Sequence, residues 1–389
     1  MSGNVEIATA LAVKAESLIA QLGFADGKIL FVSDEKIWKN CRRFFDENFI
    51  KKIDKILLLK NPHADEKNLK KIAAATKKCD LLIGLGSGTI NDLCKFTSAQ
   101  KKIPYVIFAS AASMNGYASK NASITISGHK KTLPATLPLV IFCDLGILQS
   151  APLALTKAGI GDSLCFYSCW FDWYLSHKIC GTEFDQKPFL LLAKKMNFFT
   201  KNFQNFSLRD DAFLKLLIEI LLLSGRGMTI AGGSYPASQS EHLIAHTIGM
   251  KYPKIVREIL HGAQIAVTTL TSARLQKNLL ENCALPLVKK CEFSLKKLEK
   301  FFGKKIALQC GKEFEMKAEI SAPSEVDWKK IQKDLQKIYF DESRLKAIFS
   351  HFKIKTSPRS LGLSNAEYAA CVTNAKFIRN RFTCLDTVS

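Results

Sequence analysis

Short apolar runs of strand length recur through the first 150 residues, each separated from the next by a stretch with helical spacing of apolar positions. Val5 to Leu22 reads as an amphipathic helix leading into the run Lys28-Ile29-Leu30-Phe31-Val32. A polar helical stretch follows, then Ile53 to Leu59, another helix, and Leu81-Leu82-Ile83-Gly84. Tyr105 to Phe108 and Leu139 to Phe142 add two more runs, with a β-hairpin expected between them around Ile124 to Lys131. Apolar runs alternating with helices predict parallel strands in an open α/β sheet.

After Pro152 the strand signals fade, and apolar residues recur at helical spacing through most of the remainder, with Gly and Pro breaks near 232 to 236, 286 and 322 to 323. The pattern therefore predicts an α/β domain over residues 1–150 and an all-α domain over 151–389. The longest apolar run, Ala212 to Gly233, contains Lys215, Glu219 and Arg226, which a membrane span tolerates badly. It reads as a core helix, and no membrane span is expected. Met1 to Ile7 has neither the basic start nor the apolar centre of a signal peptide, so the expected location is cytoplasmic.

At 389 residues there is room for two cores, and 47% hydrophobic residues make the protein globular. The net charge of +21 is spread over doublets such as Lys51-Lys52, Lys70-Lys71 and Lys130-Lys131, without the arginine or aromatic readers of a nucleic-acid surface. It reads as a solvated surface that also attracts small anions, and no nucleic-acid partner is expected. The dense run from Lys289 to Lys305 reads as an exposed helix face. Twelve cysteines are scattered singly with no C-x-x-C, so disulfides are not expected. Cys165 and Cys169, one helical turn apart, read as small buried packing.

Three stretches carry candidate chemistry. Leu82-Ile83-Gly84-Leu85-Gly86-Ser87-Gly88-Thr89-Ile90-Asn91-Asp92 runs off a strand into a helix, where glycines let a pyrophosphate approach the backbone and the helix start meets its charge. Asp34, after the first strand, either accepts hydrogen bonds from a ribose and favours NAD over NADP, or caps the next helix. Ser110 to Ser119 follows a later strand and by position faces the same crevice. His242 and His246 lie on one face of a helix. A third histidine and a carboxylate brought in by the fold can complete a metal site with one position open.

Taken in order, Gly86 to Asp92, Ser113-Met114-Asn115-Gly116-Tyr117-Ala118-Ser119, Lys130 to Ala135, Ala158-Gly159-Ile160-Gly161-Asp162, Ser240-Glu241-His242 through His246, His261-Gly262-Ala263-Gln264 and Ala375 to Asp386 resemble signatures of the glycerol-1-phosphate dehydrogenase family. That family is grouped with iron-containing alcohol dehydrogenases, glycerol dehydrogenases and dehydroquinate synthases. The resemblance implies a Rossmann-like nucleotide domain followed by an all-helical metal domain, with the active site in the cleft between them. It implies metal ligands at Asp162, His242 and His261, a substrate-facing His246, and cofactor contacts at Asp34, at Gly86, Ser87, Gly88, Thr89, Ile90, Asn91 and Asp92, and at Ser110, Ser113 and Ser119. It also implies a homo-oligomer.

The expected activity is a metal-dependent, NAD(P)H-linked and reversible reduction of dihydroxyacetone phosphate to sn-glycerol 1-phosphate. A divalent ion, zinc before nickel or iron, polarises the carbonyl, and His246 relays a proton. Three positions depart from the resemblance. Asn115 stands where the family has an aspartate for substrate hydroxyls, and Phe166 and Tyr235 stand where it often has Lys and Arg. These leave open a different small polyol, carbonyl or sugar phosphate, including a cyclisation like that of dehydroquinate synthase.

Overall fold

The structure, a computed structural model, describes residues 4–126, 129–281, 294–318 and 326–387. The apolar runs of the first 150 residues form β1 (Asn4–Ala8), β2 (Ile29–Asp34), β3 (Lys55–Leu59), β4 (Leu81–Gly86), β5 (Tyr105–Ala109), β6 (Asn121–Ile126), β7 (His129–Pro134) and β8 (Val140–Asp144). Six of them lie parallel in one sheet of order β1-β8-β5-β4-β2-β3, while β6 and β7 pair antiparallel as a hairpin longer than the one expected at 124–131. Between them come α1 (Ala15–Gln21), α2 (Glu35–Cys41), α3 (Glu47–Lys52), α4 (Glu66–Ala75) and α5 (Gly88–Lys101), and α6 (Leu145–Ser150) follows β8.

The four inner strands are buried along nearly their whole length, which is why they read as unbroken apolar runs rather than as alternating ones. Phe108 of β5 stacks on Phe142 of β8 at 4.8 Å between centroids and meets Phe45 edge-on at 5.1 Å. The helix expected over Val5 to Leu22 is corrected in its first half. Residues 4–8 are strand β1, with Val5 opposite Ile141 and Ile7 opposite Cys143, and helix α1 starts only at Ala15. Val5 and Ile7 suit a strand equally well, and the open edge of β8 supplies hydrogen-bond partners that periodicity cannot display.

Beyond Pro152 the described chain is helical: α7 (Leu153–Cys180), α8 (Lys187–Asn202), α9 (Asp211–Ile230), α10 (Ser240–Lys251), α11 (Pro253–Glu258), α12 (His261–Glu281), α13 (Leu295–Phe302), α14 (Lys304–Ala318), α15 (Trp328–Ile338), α16 (Glu342–His351) and α17 (Asn365–Asn374). The fold class is thus a parallel-sheet α/β part followed by an all-α part. The chain divides into two compact units, Met1–Gly159 with Phe206–Thr229, and Ile160–Asn205 with Ile230–Ser389. In the second, Leu243, Ile244 and Ile248 of α10 pack with Val267 of α12 and Cys371 of α17.

The apolar run at Ala212 to Gly233 is the buried helix α9, grouped with the first unit. A side chain at Gly225 would overlap the carbonyl oxygen of Asn115, so this glycine lets α9 lie directly on the loop that carries Asn115. Among the described residues, no helix is long and apolar enough to cross a membrane. Lys296, Lys297, Lys300, Lys304 and Lys305 are exposed around a buried Leu298, as a solvated helix face requires. The rest of that run, 289–293, and the breaks near 286 and 322 to 323 lie outside the described residues. The ten described cysteines are free thiols.

Candidate metal centre and nucleotide turn

Helices α7 and α12 meet main chain to main chain. A Cβ at Gly161 would overlap the carbonyl oxygen of Gly262, so the contact exists because position 161 carries no side chain. The neighbours of the two glycines, Asp162 and His261, are thereby brought together, and α10 adds His242. Asp162 Oδ1 lies 3.8 Å from His261 Nε2 and 4.0 Å from His242 Nε2, and the two imidazole nitrogens are 3.2 Å apart. A triangle with sides of 3.2, 3.8 and 4.0 Å has a circumradius of about 2.1 Å, within the ~2.0–2.2 Å that a divalent ion keeps to imidazole nitrogen and carboxylate oxygen.

One carboxylate and two imidazoles therefore fit a divalent cation in both donor type and spacing. Asp162 and His242 are buried and His261 is exposed, so the group opens on one side. His246 follows His242 by one helical turn. Its ring centroid is 6.0 Å from that of His242 and 6.3 Å from that of His261, which puts it beside the triangle rather than in it. Because the helix crossing sets the ligand spacing, Gly161→Ala is expected to destabilise the protein by about 3 kcal/mol through overpacking and to weaken metal binding at the same time. A thermal melt with and without zinc checks this, and an unchanged melting temperature contradicts it.

The residue before His242 orients it. His242 Nδ1 donates to Glu241 Oε1 at 2.8 Å, which leaves the lone pair on Nε2 turned toward Asp162 and His261. Glu241 has no exposed surface and also accepts from the Gln239 N–H and the Ser168 hydroxyl, both at 2.8 Å, and from the Cys169 thiol at 3.2 Å. Burial pushes its carboxyl up, but the hydrogen bond and charge of His242, helped by Gln239 and Ser168, outweigh it and hold the group at about 2.

Cys165, Cys169 and Glu241 form a second cluster of ligand atoms. It is closed, because both carboxylate oxygens already accept hydrogen bonds and the Cys165 thiol donates to the Asp162 carbonyl at 3.0 Å. The two cysteines are therefore more than the apolar filling expected of them. They are donors beneath the Asp162–His242–His261 group, and burial raises the Cys169 thiol well above its ordinary range.

In the first unit, β4 ends at Gly86 and α5 begins at Gly88. A side chain at Gly86 would overlap Ile90, so the tight turn requires the glycine. Ser87, Gly88 and Thr89 are half-buried at the helix start, whereas Ile90 and Asn91 are buried behind them, and Asp92 accepts from the Ser123 N–H at 3.1 Å. The Ser110 N–H donates to the Gly86 carbonyl at 3.0 Å, which sets the following loop beside the turn. Ser110, Ser113 and Ser119 are buried, and the Ser119 hydroxyl faces the carbonyls of Gly116 and Asn121. Asp34 caps α2, accepting from Lys36 N at 2.7 Å and Ile37 N at 3.4 Å.

The three departures find physical settings. Asn115 Nδ2 donates to Ser224 on α9 at 3.2 Å. Phe166 is buried against Tyr167, Trp170 and Phe189, so position 166 belongs to an aromatic core. Tyr235 is exposed, and the guanidinium of Arg381 sits over its ring at 4.3 Å. The closing segment thus lays a cation against the Tyr235 ring, where its guanidinium also donates to the Ser238 carbonyl.

The structure superposes on a probable glycerol dehydrogenase from Sinorhizobium meliloti with a TM-score of 0.65 at 16% identity, covering 99% of this chain and 94% of that one. Residues 6–152 match the family described as iron-containing alcohol dehydrogenase. A protein of Thermococcus sibiricus named NAD(P)+ glycerol-1-phosphate dehydrogenase is 33% identical over 246 residues, 63% of this chain and 67% of that one. Its namesake in Geobacillus thermodenitrificans is 31% identical over 208 residues, 53% of this chain and 52% of that one. The chain thus spans about half the length of the Geobacillus relative and two thirds of the Thermococcus one. It belongs to the glycerol-1-phosphate dehydrogenase family.

Proposed function

We propose that the chain is a metal-dependent NAD(P)H oxidoreductase that reduces dihydroxyacetone phosphate to sn-glycerol 1-phosphate, reversibly. The observation that carries this reading is the convergence of Asp162, His242 and His261 at ion-holding distances, with His246 one turn away. Asp162, His242 and His261 hold the cation, for which zinc is the first choice and nickel or iron(II) suit the same donors. When bound, that ion supplies a Lewis acid for the carbonyl, and the nicotinamide supplies the hydride. His246 delivers the proton to the carbonyl oxygen, and Asn115 contacts the substrate hydroxyls.

Dinucleotide binding falls to the domain over 1–150, and metal and substrate binding to the domain over 151–389, with Asn115 of the first domain added to the substrate contacts. Ser87, Gly88 and Thr89 meet the pyrophosphate at the helix start, backed by Gly86, Ile90, Asn91 and Asp92, with Ser110, Ser113 and Ser119 lining the adjoining loop. The enzyme works as a cytoplasmic homo-oligomer without a nucleic-acid partner. The names of the relatives support the substrate and the dinucleotide. The deciding experiment follows NADH oxidation with dihydroxyacetone phosphate after zinc loading. No turnover with the metal confirmed bound removes the substrate assignment.

Asp34 serves both as a helix cap and as the residue facing the adenosine ribose, favouring NAD. Asp34→Ala is expected to cost about 1 kcal/mol of stability through the lost cap. It should also lower the preference for NADH over NADPH about tenfold in kcat/KM, since the carboxylate that repels a 2′-phosphate is gone. A stability loss without any change in that preference leaves Asp34 a cap alone.

A further inference from the structure

Lys95 stands on α5 two turns beyond the glycine turn and has no exposed surface. Its Nζ donates to the carbonyl oxygens of Gly116 at 2.5 Å, Ser119 at 2.8 Å and Asn121 at 3.2 Å. All three protons of an ammonium are thus matched by carbonyls from the stretch that closes the 113–119 loop and opens β6. Burying a cation costs several kcal/mol, and an apolar side chain of the same length would fill the space without that penalty. Burial pulls the ammonium down to about 8, with the charge of Asp92 opposing it, so the group stays charged at neutral pH. Tyr117 adds a second tie, its hydroxyl lying 3.1 Å from the Gly86 carbonyl and 3.0 Å from that of Ala111.

We propose that Lys95 is a positioning residue: its ammonium gathers the Gly116, Ser119 and Asn121 carbonyls onto α5 and fixes the Asn115 loop relative to the Ser87–Thr89 turn. The contact that takes the substrate and the turn that takes the dinucleotide are then parts of one rigid piece. This assignment rests on the functional reading above. A neutral side chain cannot replace the clamp, because three buried carbonyls would lose their donors together.

The test compares wild type with Lys95→Met and Lys95→Ala in the full chain, by hydrogen exchange and by steady-state kinetics. In Lys95→Met the melt stays cooperative, and amides of residues 113–121 exchange about tenfold faster while β4 and β5 are unchanged. The dissociation constant for NADH stays within about threefold while kcat for dihydroxyacetone phosphate falls about 100-fold, the scale of a misplaced contact group. Propylammonium added to Lys95→Ala restores part of the lost kcat and re-protects 113–121, whereas tetramethylammonium does neither.

Unchanged exchange and kcat in Lys95→Met overturn the proposal. So does a loss of NADH binding and kcat that simply follows the folded fraction. If Lys95→Met does not fold, the amine rescue of Lys95→Ala decides. If wild type shows no turnover, the functional reading falls, and the exchange and NADH-binding results still judge the clamp by themselves.

Discussion

His261→Ala is expected to strip the divalent ion from the protein and to lower kcat/KM about 1,000-fold or more, roughly the 4 kcal/mol that a Lewis acid contributes to a developing oxyanion. His261 closes two of the three sides of the donor triangle, the 3.2 Å and 3.8 Å ones, so its removal leaves only the 4.0 Å pair of His242 and Asp162. Two donors at that separation bind a metal weakly in water. The side chain is 41% exposed, so truncation removes a ligand without opening a sealed core cavity, and the fold should survive. Metal content by mass spectrometry, a zinc titration and turnover on one preparation form the measurement. A variant that keeps stoichiometric metal and activity shows that the ligand set is wrong. Asp162→Asn gives the same loss of metal with a larger loss of stability, because the group it alters is buried.

Glu241→Gln should weaken zinc binding about 10- to 100-fold while changing the melting temperature little, the range found for partners behind a metal-ligating histidine. The amide oxygen can still receive His242 Nδ1, the Gln239 N–H and the Cys169 thiol, and the Ser168 hydroxyl can turn to accept from the new NH2. What disappears is the negative charge that makes His242 a better donor through Nε2. Glu241→Ala removes shape as well, leaves several buried donors unpaired, and should cost about 3 kcal/mol of stability besides. Competition with a chelator of known affinity, alongside thermal melts, separates the two variants. Zinc affinity in Glu241→Gln equal to that of wild type would dismiss the orienting role.

The inner strands and the glycine turn were legible because parallel strands buried on both faces leave unbroken apolar runs, and because only glycine suits the bend before α5. The three residues of the donor triangle could be picked out through order and resemblance. Spacing along the chain showed only the His242 and His246 pair, of which just the first lies in the triangle. What escaped depends on contacts between distant residues. Strand β1 is defined by β8, more than 130 positions away. Glu241 sits beside His242 in the sequence, yet its role appears only once Nδ1 is seen turned back toward it. Lys95, three residues after Asp92, has the spacing of an exposed ion pair and is instead fully buried. Arg381 reaches the Tyr235 ring across 146 positions, a contact that one dimension does not display.

The glycine contact between α7 and α12 has a bearing on redesign. Since the dimensions of the donor triangle are set by main chain pressed on main chain, ion preference under the proposed function is best changed by exchanging donor atoms at 162, 242 and 261 on the existing framework. Any larger residue at 161 alters the distances first, whatever donors are chosen, so the glycine limits how far protein engineering or natural drift can reshape the centre.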